Sequence, residues 1–226
     1  MSSDSPLSQF STCELSDALI KLGVPTGGHI PDINMYSPGS SPSGTRICGP
    51  AYTVQMVSAT DKTSPSPSAH FVDSIPTGTV VIIDAPPESK NAVWGGLMTA
   101  GAQVRGALGV VILGRCRDLA EHRSLGFPVF ARGHSTLGQG GFTRPSAVDV
   151  PLTVNFGSDD SKFQSVVTPR DWIIADEDGV VCVPTALVDR VVEVATKGRE
   201  VDCKCMEDIL AGKGVQASFK LHRGKL

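Results

Sequence analysis

Residues 79–113 read TVVIIDAPPESKNAVWGGLMTAGAQVRGALGVVIL, and this stretch decides the fold. Thr79-Val80-Val81-Ile82-Ile83-Asp84 is a short β-branched run, which predicts a buried strand. Pro86 and Pro87 stop it. From Asn91 the period changes. Leu97, Ala100, Gly101, Val104, Ala107 and Leu108 fall on one helical face. Gly109-Val110-Val111-Ile112-Leu113 is a second buried run. Strand, helix and strand over so short a span make a βαβ unit, whose crossover is almost always right-handed.

Upstream, Ser11-Thr12-Cys13-Glu14 has the form of a capping box: Ser11 can accept from the Glu14 backbone while Glu14 reaches back. Leu15, Ala18, Leu19 and Leu22 follow at helical spacing, and Gly23 ends the run before Pro25. Residues 31–45 and 60–68 are rich in Ser and Pro and predict loops, with a strand from Arg46 to Ala59 between them. Downstream, Phe127 to Ala131 predicts a strand, with weaker strand signals at 148–156 and 164–167. Trp172 to Ala175 and Val180 to Val183 flank the turn Asp176-Glu177-Asp178-Gly179, where Gly suits a positive φ. Thr185 to Lys197 and Val201 to Leu210 predict two helices, the second ended by Gly212 or Gly214. No internal repeat or clean linker divides the chain. The reading is a flexible segment 1–10, one α/β domain over 11–214 and a solvated tail over 215–226.

Composition narrows the function. The chain has 226 residues, 40% hydrophobic and 19% charged, as in an ordinary globular protein. Its net charge is −3. Apart from a mildly basic tail at Lys220 to Lys225, no basic patch stands out, which argues against a nucleic-acid partner. No run approaches the ~20 apolar residues of a membrane span. Met1 to Phe10 is Ser-rich and does not read as a secretory signal. Six scattered Cys without a CxxC pair argue against a zinc site, and predict reduced thiols and a cytoplasmic location.

Ligands of α/β sheets bind beyond the carboxyl ends of strands. The turn Gly114-Arg115-Cys116-Arg117-Asp118 follows such an end. So does the loop from Asp84 to Asn91 that leads to the glycines of Trp94-Gly95-Gly96-Leu97-Met98. A helix start with glycines offers free N–H groups to an anion, so Gly95 to Met98 could hold a carboxylate or phosphate. Asp118 suits a hard cation such as Mg²⁺. Arg117 would present a fixed positive fork to a carbonyl or developing enolate oxygen. A metal and an Arg at one oxygen are what carbon–carbon cleavage next to a ketone needs. Taken alone, an Arg-Asp pair after a strand is more often a surface ion pair.

Other residues read more plainly. Asp176 and Asp178 are explained by turn chemistry. Arg132 follows a buried strand and could reach a carboxylate, in the site or in a structural ion pair. His70, His122 and His134 are isolated and read as surface residues, although His122 could flank the site from a short helix. Trp94 is either a pocket wall or core.

Residues 94–118 resemble the RraA-like family, whose pattern is roughly Gly-(Asp/Glu)-x-Leu at a helix start, then Gly-x-Val-x-Asp-Gly-x-x-Arg-Asp, then Pro-Val-Phe-Ala-Arg-Gly. The likeness extends to Asp17-Ala18-Leu19, to Gly49-Pro50-Ala51-x-Thr53-Val54 and to Ala175-Asp176-x-Asp178-Gly179-Val180-Val181. It spans about residues 12–212 in family order. The family includes 4-hydroxy-4-methyl-2-oxoglutarate aldolases, which also decarboxylate oxaloacetate, and a bacterial inhibitor of ribonuclease E.

The resemblance implies an αββα sandwich of swivelling-domain type, and trimers or hexamers with sites at subunit interfaces. It also implies a class II pyruvate-aldolase activity with Mg²⁺ or Mn²⁺ and a small 2-oxo acid substrate. It assigns the metal ligand to Asp118, the enolate-facing cation to Arg117 and the pyruvate-carboxylate loop to Gly95, Gly96, Leu97 and Met98. A carboxylate lent by the neighbouring subunit would be Asp202 or Glu207. The chain departs from the pattern twice. Gly96 replaces an acidic residue that helps hold the metal through water, and Leu113 replaces an Asp. Losing an outer carboxylate weakens a metal site tenfold or more, so either the metal is held more loosely or another acid substitutes. Two other readings stay open: a binding or regulatory protein on the same scaffold, and a specialised lyase or isomerase for another 2-oxo acid.

Overall fold

The computed structural model of the chain describes residues 5–39, 44–155 and 164–224. Alternate side chains of its buried strands face different layers, and this alternation defines the architecture. Strand β1 is His29–Ile30, β2 Asn34–Ser37, β3 Ile47–Ser58, β4 Val80–Asp84, β5 Ala92–Trp94 and β6 Gly109–Cys116. Then follow β7 Val129–His134, β8 Thr143–Val148, β9 Leu152–Asn155, β10 Gln164–Val167, β11 Trp172–Asp176 and β12 Gly179–Val183. The helices are α1 Thr12–Lys21, α2 Gly96–Val104, α3 Leu119–Ser124, α4 Val188–Leu210 and α5 Val215–His222.

The main sheet has the order β1-β12-β11-β3-β4-β6-β7-β2, with β5 on β6 and β8 on β3. Strand β3 links its two halves: residues 47–50 pair antiparallel with β11, and residues 51–55 pair parallel with β4. Val80, Ile82, Val111 and Leu113 meet Ile173, Ala175, Val180 and Cys182 in a central apolar layer. Val81, Ile83, Val110 and Ile112 face outward to Phe71, Trp94, Ala102 and Phe127, beside α2 and α3. On the opposite side, Ile174, Val181 and Val183 pack against Leu15, Leu19, Val191 and Ala195 of α1 and α4. Helix, sheet, sheet and helix layers follow in turn, giving the expected αββα sandwich in a single α/β domain. The period of two is the physical cause, since each buried strand must satisfy an apolar layer on both faces.

The predicted βαβ unit is present as β4, α2 and β6, with β4 and β6 parallel. The capping box is complete: Ser11 Oγ accepts from Glu14 N at 3.2 Å, and Ser11 N donates to Glu14 Oε2 at 2.8 Å. Gly179 sits at φ 144° in the β11–β12 turn.

Several expectations need correction. Leu7 and Phe10 are buried and a 3-10 helix spans Pro6–Gln9, so residues 5–10 are packed rather than free. Residues 1–4 lie outside the described residues. The loop at 31–45 contains β2, which pairs with β7. Its residues 40–43 lie outside the described residues, as does Phe156 at the end of the strand expected over 148–156. Strand β6 runs on through Gly114, Arg115 and Cys116, so only Arg117 and Asp118 turn. The two expected C-terminal helices are one helix of 23 residues. A lone helical glycine such as Gly198 costs only about 1 kcal/mol against Ala, too little to break a helix packed along its length. The tail contains α5, whose buried Ser218 hydroxyl donates to the Cys205 carbonyl of α4 at 3.3 Å. Finally, Leu97 and Val104 are each 89% exposed, while α2 packs through Gly96, Thr99 and Ala102.

Candidate active site

Strand β6 delivers Arg117 and Asp118 to the carboxyl end of the parallel strands. The Arg117 N–H donates to the Trp94 carbonyl at 2.9 Å, which ties this turn to the chain entering α2. Asp118 adopts a left-handed conformation, φ 61° and ψ 44°, which Asp tolerates better than most residues. Its carbonyl accepts the N–H groups of Glu121 and His122 at 3.0 and 3.2 Å, so Asp118 starts α3. Its side chain does not cap α3. It crosses to α2, where Oδ2 accepts the Gly96 N–H at 3.0 Å. Gly95, the cap residue of α2, has no side chain to offer, and Asp118 satisfies one of the free donors from outside the helix.

Arg117 Nε lies 3.4 Å from the same Asp118 Oδ2, and the two side chains are 45% and 33% exposed. Glycines make room for both. A Cβ on Gly95 would stand 2.5 Å from Asp118 Oδ2, and one on Gly138 would stand 2.7 Å from Arg117 Nη1. Trp94, Gly95, Leu97, Met98, Arg117 and Asp118 line one open cleft, with Gln139 at its edge. The N–H groups of Leu97 and Met98 belong to the first turn of α2 and have no carbonyl within the helix to reach. All six predicted residues of this chain's own site, Gly95 to Met98 with Arg117 and Asp118, therefore meet at one place.

Beneath the cleft runs a buried polar chain. Trp94 Nε1 donates to Thr99 Oγ1 at 2.7 Å, and Thr99 Oγ1 lies 2.9 Å from His122 Nδ1. Thr99 and His122 are fully buried and Trp94 is 1% exposed. His122 is thus not the surface residue expected; α3 turns it inward beneath α2. Burial pushes its pKa below 6.5, opposed by the Arg117 backbone and the charges of Asp118 and Glu121. His70 and His134 are exposed. Trp94 is both core and cleft lining.

Of the two departures from the family pattern, only Gly96 bears on the cleft. Leu113 is 1% exposed in the central apolar layer, on the other face of β6. Asp202 and Glu207 do not line this cleft. Asp202 pairs with Arg223 Nε at 3.1 Å, whereas Glu207 is exposed and makes no ion pair among the described residues. Arg132 bears on Asp84, a half-buried carboxyl whose Oδ2 accepts from Gln55 Nε2 at 2.9 Å. Burial raises the Asp84 pKa, while Gln55 and the Arg132 charge lower it. Asp84 ends β4 and does not line the cleft. Asp176 is structural: it accepts from Thr12 and from the Asp178 N–H across the β11–β12 turn.

The donors suit a hard, hydrated cation. Asp118 Oδ2 is engaged, while Oδ1 makes no hydrogen bond among the described residues. No three His, Cys, Asp or Glu side chains converge among the described residues. A protein-caged ion is therefore not supported here, whereas Mg²⁺ binds through one or two carboxylates and keeps its waters.

The chain is similar to known proteins over most of its length. The family model described as RraA-like, Aldolase/RraA, matches residues 12–182. Protein DlpA of Legionella pneumophila is 31% identical over 188 residues, covering 83% of this chain; the chain spans only 28% of that protein's length. A Burkholderia multivorans protein with the provisional name 4-hydroxy-4-methyl-2-oxoglutarate aldolase is 30% identical over 186 residues, 79% of this chain and 98% of that protein. A Pseudomonas syringae crystal structure superposes with a TM-score of 0.78 at 29% identity, covering 94% of each chain. The match to the family model covers most of the α/β domain, including Gly95 to Met98, Arg117 and Asp118, and this chain belongs to the RraA-like family.

Proposed function

We propose that this protein is a divalent-metal-dependent carbon–carbon lyase. It cleaves a 4-hydroxy-2-oxo acid of the 4-hydroxy-4-methyl-2-oxoglutarate type to pyruvate, decarboxylates oxaloacetate, or does both. The observation that carries this reading is the Arg117–Asp118 pair, with Nε 3.4 Å from Oδ2, beside the uncapped glycine start of α2. The Leu97 and Met98 N–H groups offer a seat for the 2-oxo acid's carboxylate. The planar fork of Arg117 faces the keto oxygen and stabilises negative charge as it develops there. Asp118 Oδ1 is free to hold Mg²⁺ or Mn²⁺, which when bound supplies Lewis acidity to the same oxygen. In the aldol reaction the C3–C4 bond breaks, its electrons move onto the keto oxygen, and the 4-hydroxyl loses its proton to become a carbonyl. In decarboxylation the same electrons come from the bond to carbon dioxide. Both routes leave a pyruvate enolate that takes up a proton, so one site serves both.

We further propose a closed homo-oligomer, a trimer or a dimer of trimers, acting in the cytoplasm. Leu97 in the cleft, Val104 at the other end of α2, and Met206, Leu210 and Leu221 on α4 and α5 are exposed apolar residues of the kind that marks interfaces. Glu207, between Met206 and Asp208, is the carboxylate better placed to be lent, because Asp202 is engaged by Arg223. The free thiols suit a reducing compartment, and no helix among the described residues is long and apolar enough to cross a membrane. The test is pyruvate release from oxaloacetate and from 4-hydroxy-4-methyl-2-oxoglutarate, with Mg²⁺ and with excess chelator. Release only with metal supports the reading, and equal turnover in chelator removes the metal from it.

A further inference from the structure

Gln139 is half-buried, while Leu137, Gly140, Gly141 and Phe142 around it in the loop 135–142 are exposed. A polar side chain has thus turned inward from a glycine-rich surface loop. Its Oε1 is buried and makes no hydrogen bond among the described residues. A buried acceptor without a donor is unfavourable, and this one belongs to a side chain that lines the cleft.

The backbone fixes Gln139 in that place. The Leu137 carbonyl accepts the Ala92 N–H at 2.9 Å, and the Gln139 carbonyl accepts the N–H groups of Phe142 and Thr143 at 3.1 and 3.2 Å. Thr143 is tied in turn to Asn91, whose Nδ2 donates to Thr143 Oγ1 at 2.8 Å. Arg117 spans the gap between this loop and the start of α2. A Cβ on Gly95 would stand 3.3 Å from Arg117 Nε, and one on Gly138 would stand 2.7 Å from Nη1. The cleft therefore runs from the α2 start, past the guanidinium, to Gln139. In the proposed seating the substrate carboxylate lies on the Leu97 and Met98 N–H groups and the keto oxygen on Arg117. Its third and fourth carbons then lie toward Gln139.

We infer that Gln139 recognises the 4-hydroxyl of a 4-hydroxy-2-oxo acid, its Oε1 accepting the hydroxyl hydrogen. This rests on the proposed lyase reading and names the substrate class of that site. The chemistry separates the two candidate substrates. The hydroxy acid presents a donor on its fourth carbon, whereas oxaloacetate presents a carboxylate there, which has no hydrogen to give and is repelled by an acceptor. An amide oxygen takes up no proton here; Gln139 orients the O–H and selects the substrate, and Arg117 keeps its place at the keto oxygen.

The experiment is kcat/KM for 4-hydroxy-4-methyl-2-oxoglutarate and for oxaloacetate, both with Mg²⁺, in the full chain and in two variants. Gln139→Leu removes the acceptor, and Gln139→Glu keeps one. The quantity read is the ratio of the two kcat/KM values, hydroxy acid over oxaloacetate, in which general damage to the cleft cancels. The ratio should fall by about tenfold or more in Gln139→Leu and stay within a few-fold of wild type in Gln139→Glu. The melting temperature of Gln139→Leu should equal or exceed that of wild type, because an apolar group in place of an unpaired buried oxygen is neutral or stabilising. An unchanged ratio in Gln139→Leu overturns recognition of the hydroxyl and leaves the lyase reading intact. A ratio that falls as far in Gln139→Glu assigns the effect to shape and overturns the acceptor role. A wild type that decarboxylates oxaloacetate but leaves the hydroxy acid uncut overturns this inference alone. A wild type inactive on both overturns it together with the lyase reading.

Discussion

Thr99 Oγ1 and His122 Nδ1 lie 2.9 Å apart in a fully buried contact that joins the helix carrying the glycine start to the helix begun by Asp118. The same hydroxyl accepts from Trp94 Nε1 at 2.7 Å. Replacing Thr99 by Val keeps the shape but strands both ring nitrogens. An unsatisfied buried polar group costs about 1–3 kcal/mol, so Thr99→Val lowers the unfolding free energy by that order. Denaturant titration measures it, and a midpoint equal to wild type would discard the network as a source of stability.

His122 also gives a pH dependence with a definite sign. Burial lowers its folded-state pKa below the ordinary 6.5. The unfolded chain therefore takes up a proton first as pH falls. The stability associated with neutral His122 is fully present above about pH 6.5 and is lost below it, down through the folded pKa. Melting temperature should fall between pH 7 and 5, and His122→Asn should flatten part of that fall. An identical slope in the variant counts against it.

Glu14 and Arg199 make a second, opposite-end test. Arg199 Nε and Nη2 donate to the two Glu14 carboxylate oxygens at 2.6 and 2.8 Å, joining α4 to the capping box of α1. The Arg199 hydrogen bond is the main cause that pulls the Glu14 pKa from 4.5 to about 2, assisted by the Ser11 backbone and opposed by partial burial. A depressed carboxylate pKa stabilises the fold above 4.5, and this is lost as pH falls toward 2. The melting-temperature gap between wild type and Arg199→Leu should be widest above pH 5 and narrow toward pH 2. The part of the gap that survives at low pH reports the contact of Arg199 with the Phe10 ring, 4.4 Å from its centroid. A gap independent of pH would assign the whole effect to packing.

Much of this was legible in the chain, and the gaps have physical reasons. The β-branched runs of β4 and β6, the hairpin of β11 and β12, and the capping box of α1 each carry a strong local signal. β2 and β5 are four and three residues long and exist because β7 and β6 offer them partners, which no local pattern records. The apolar stripe of Leu97 and Val104 reads as a core face, yet α2 packs through small residues and turns that stripe outward. Arg117 and Asp118 stand out only through the family resemblance, because adjacent opposite charges are common on surfaces.

Assembly can be tested without substrate. Val104 and Leu210 are 89% and 79% exposed in the single chain, so an Asp at either costs little if the surface stays in water. If these faces are subunit contacts, Val104→Asp and Leu210→Asp bury an unpaired charge and disfavour association. Sedimentation at micromolar concentration should show a trimer or hexamer for wild type and smaller species for either variant. A monomeric wild type, or two variants indistinguishable from it, removes the apolar faces as contacts and with them the lending of Glu207.

Arg117 separates chemistry from architecture most directly. Its guanidinium is 45% exposed, lies over Gly138 and touches Asp118 at 3.4 Å, a pair that contributes little to stability at that exposure. In the proposed reaction it faces the oxygen that gains charge, so its contribution is greater in the transition state than in the ground state. Arg117→Lys keeps the charge but loses the planar fork. Removing a donor of this kind typically costs roughly a hundredfold or more in turnover. The expected outcome is a large fall in kcat, a smaller change in KM and a melting temperature near that of wild type. A structural ion pair predicts the reverse, with lower stability and preserved turnover per folded molecule. Measuring kcat and melting temperature on one Arg117→Lys preparation decides between them, because neither role moves both quantities in the same way; a preserved kcat would end the enolate role.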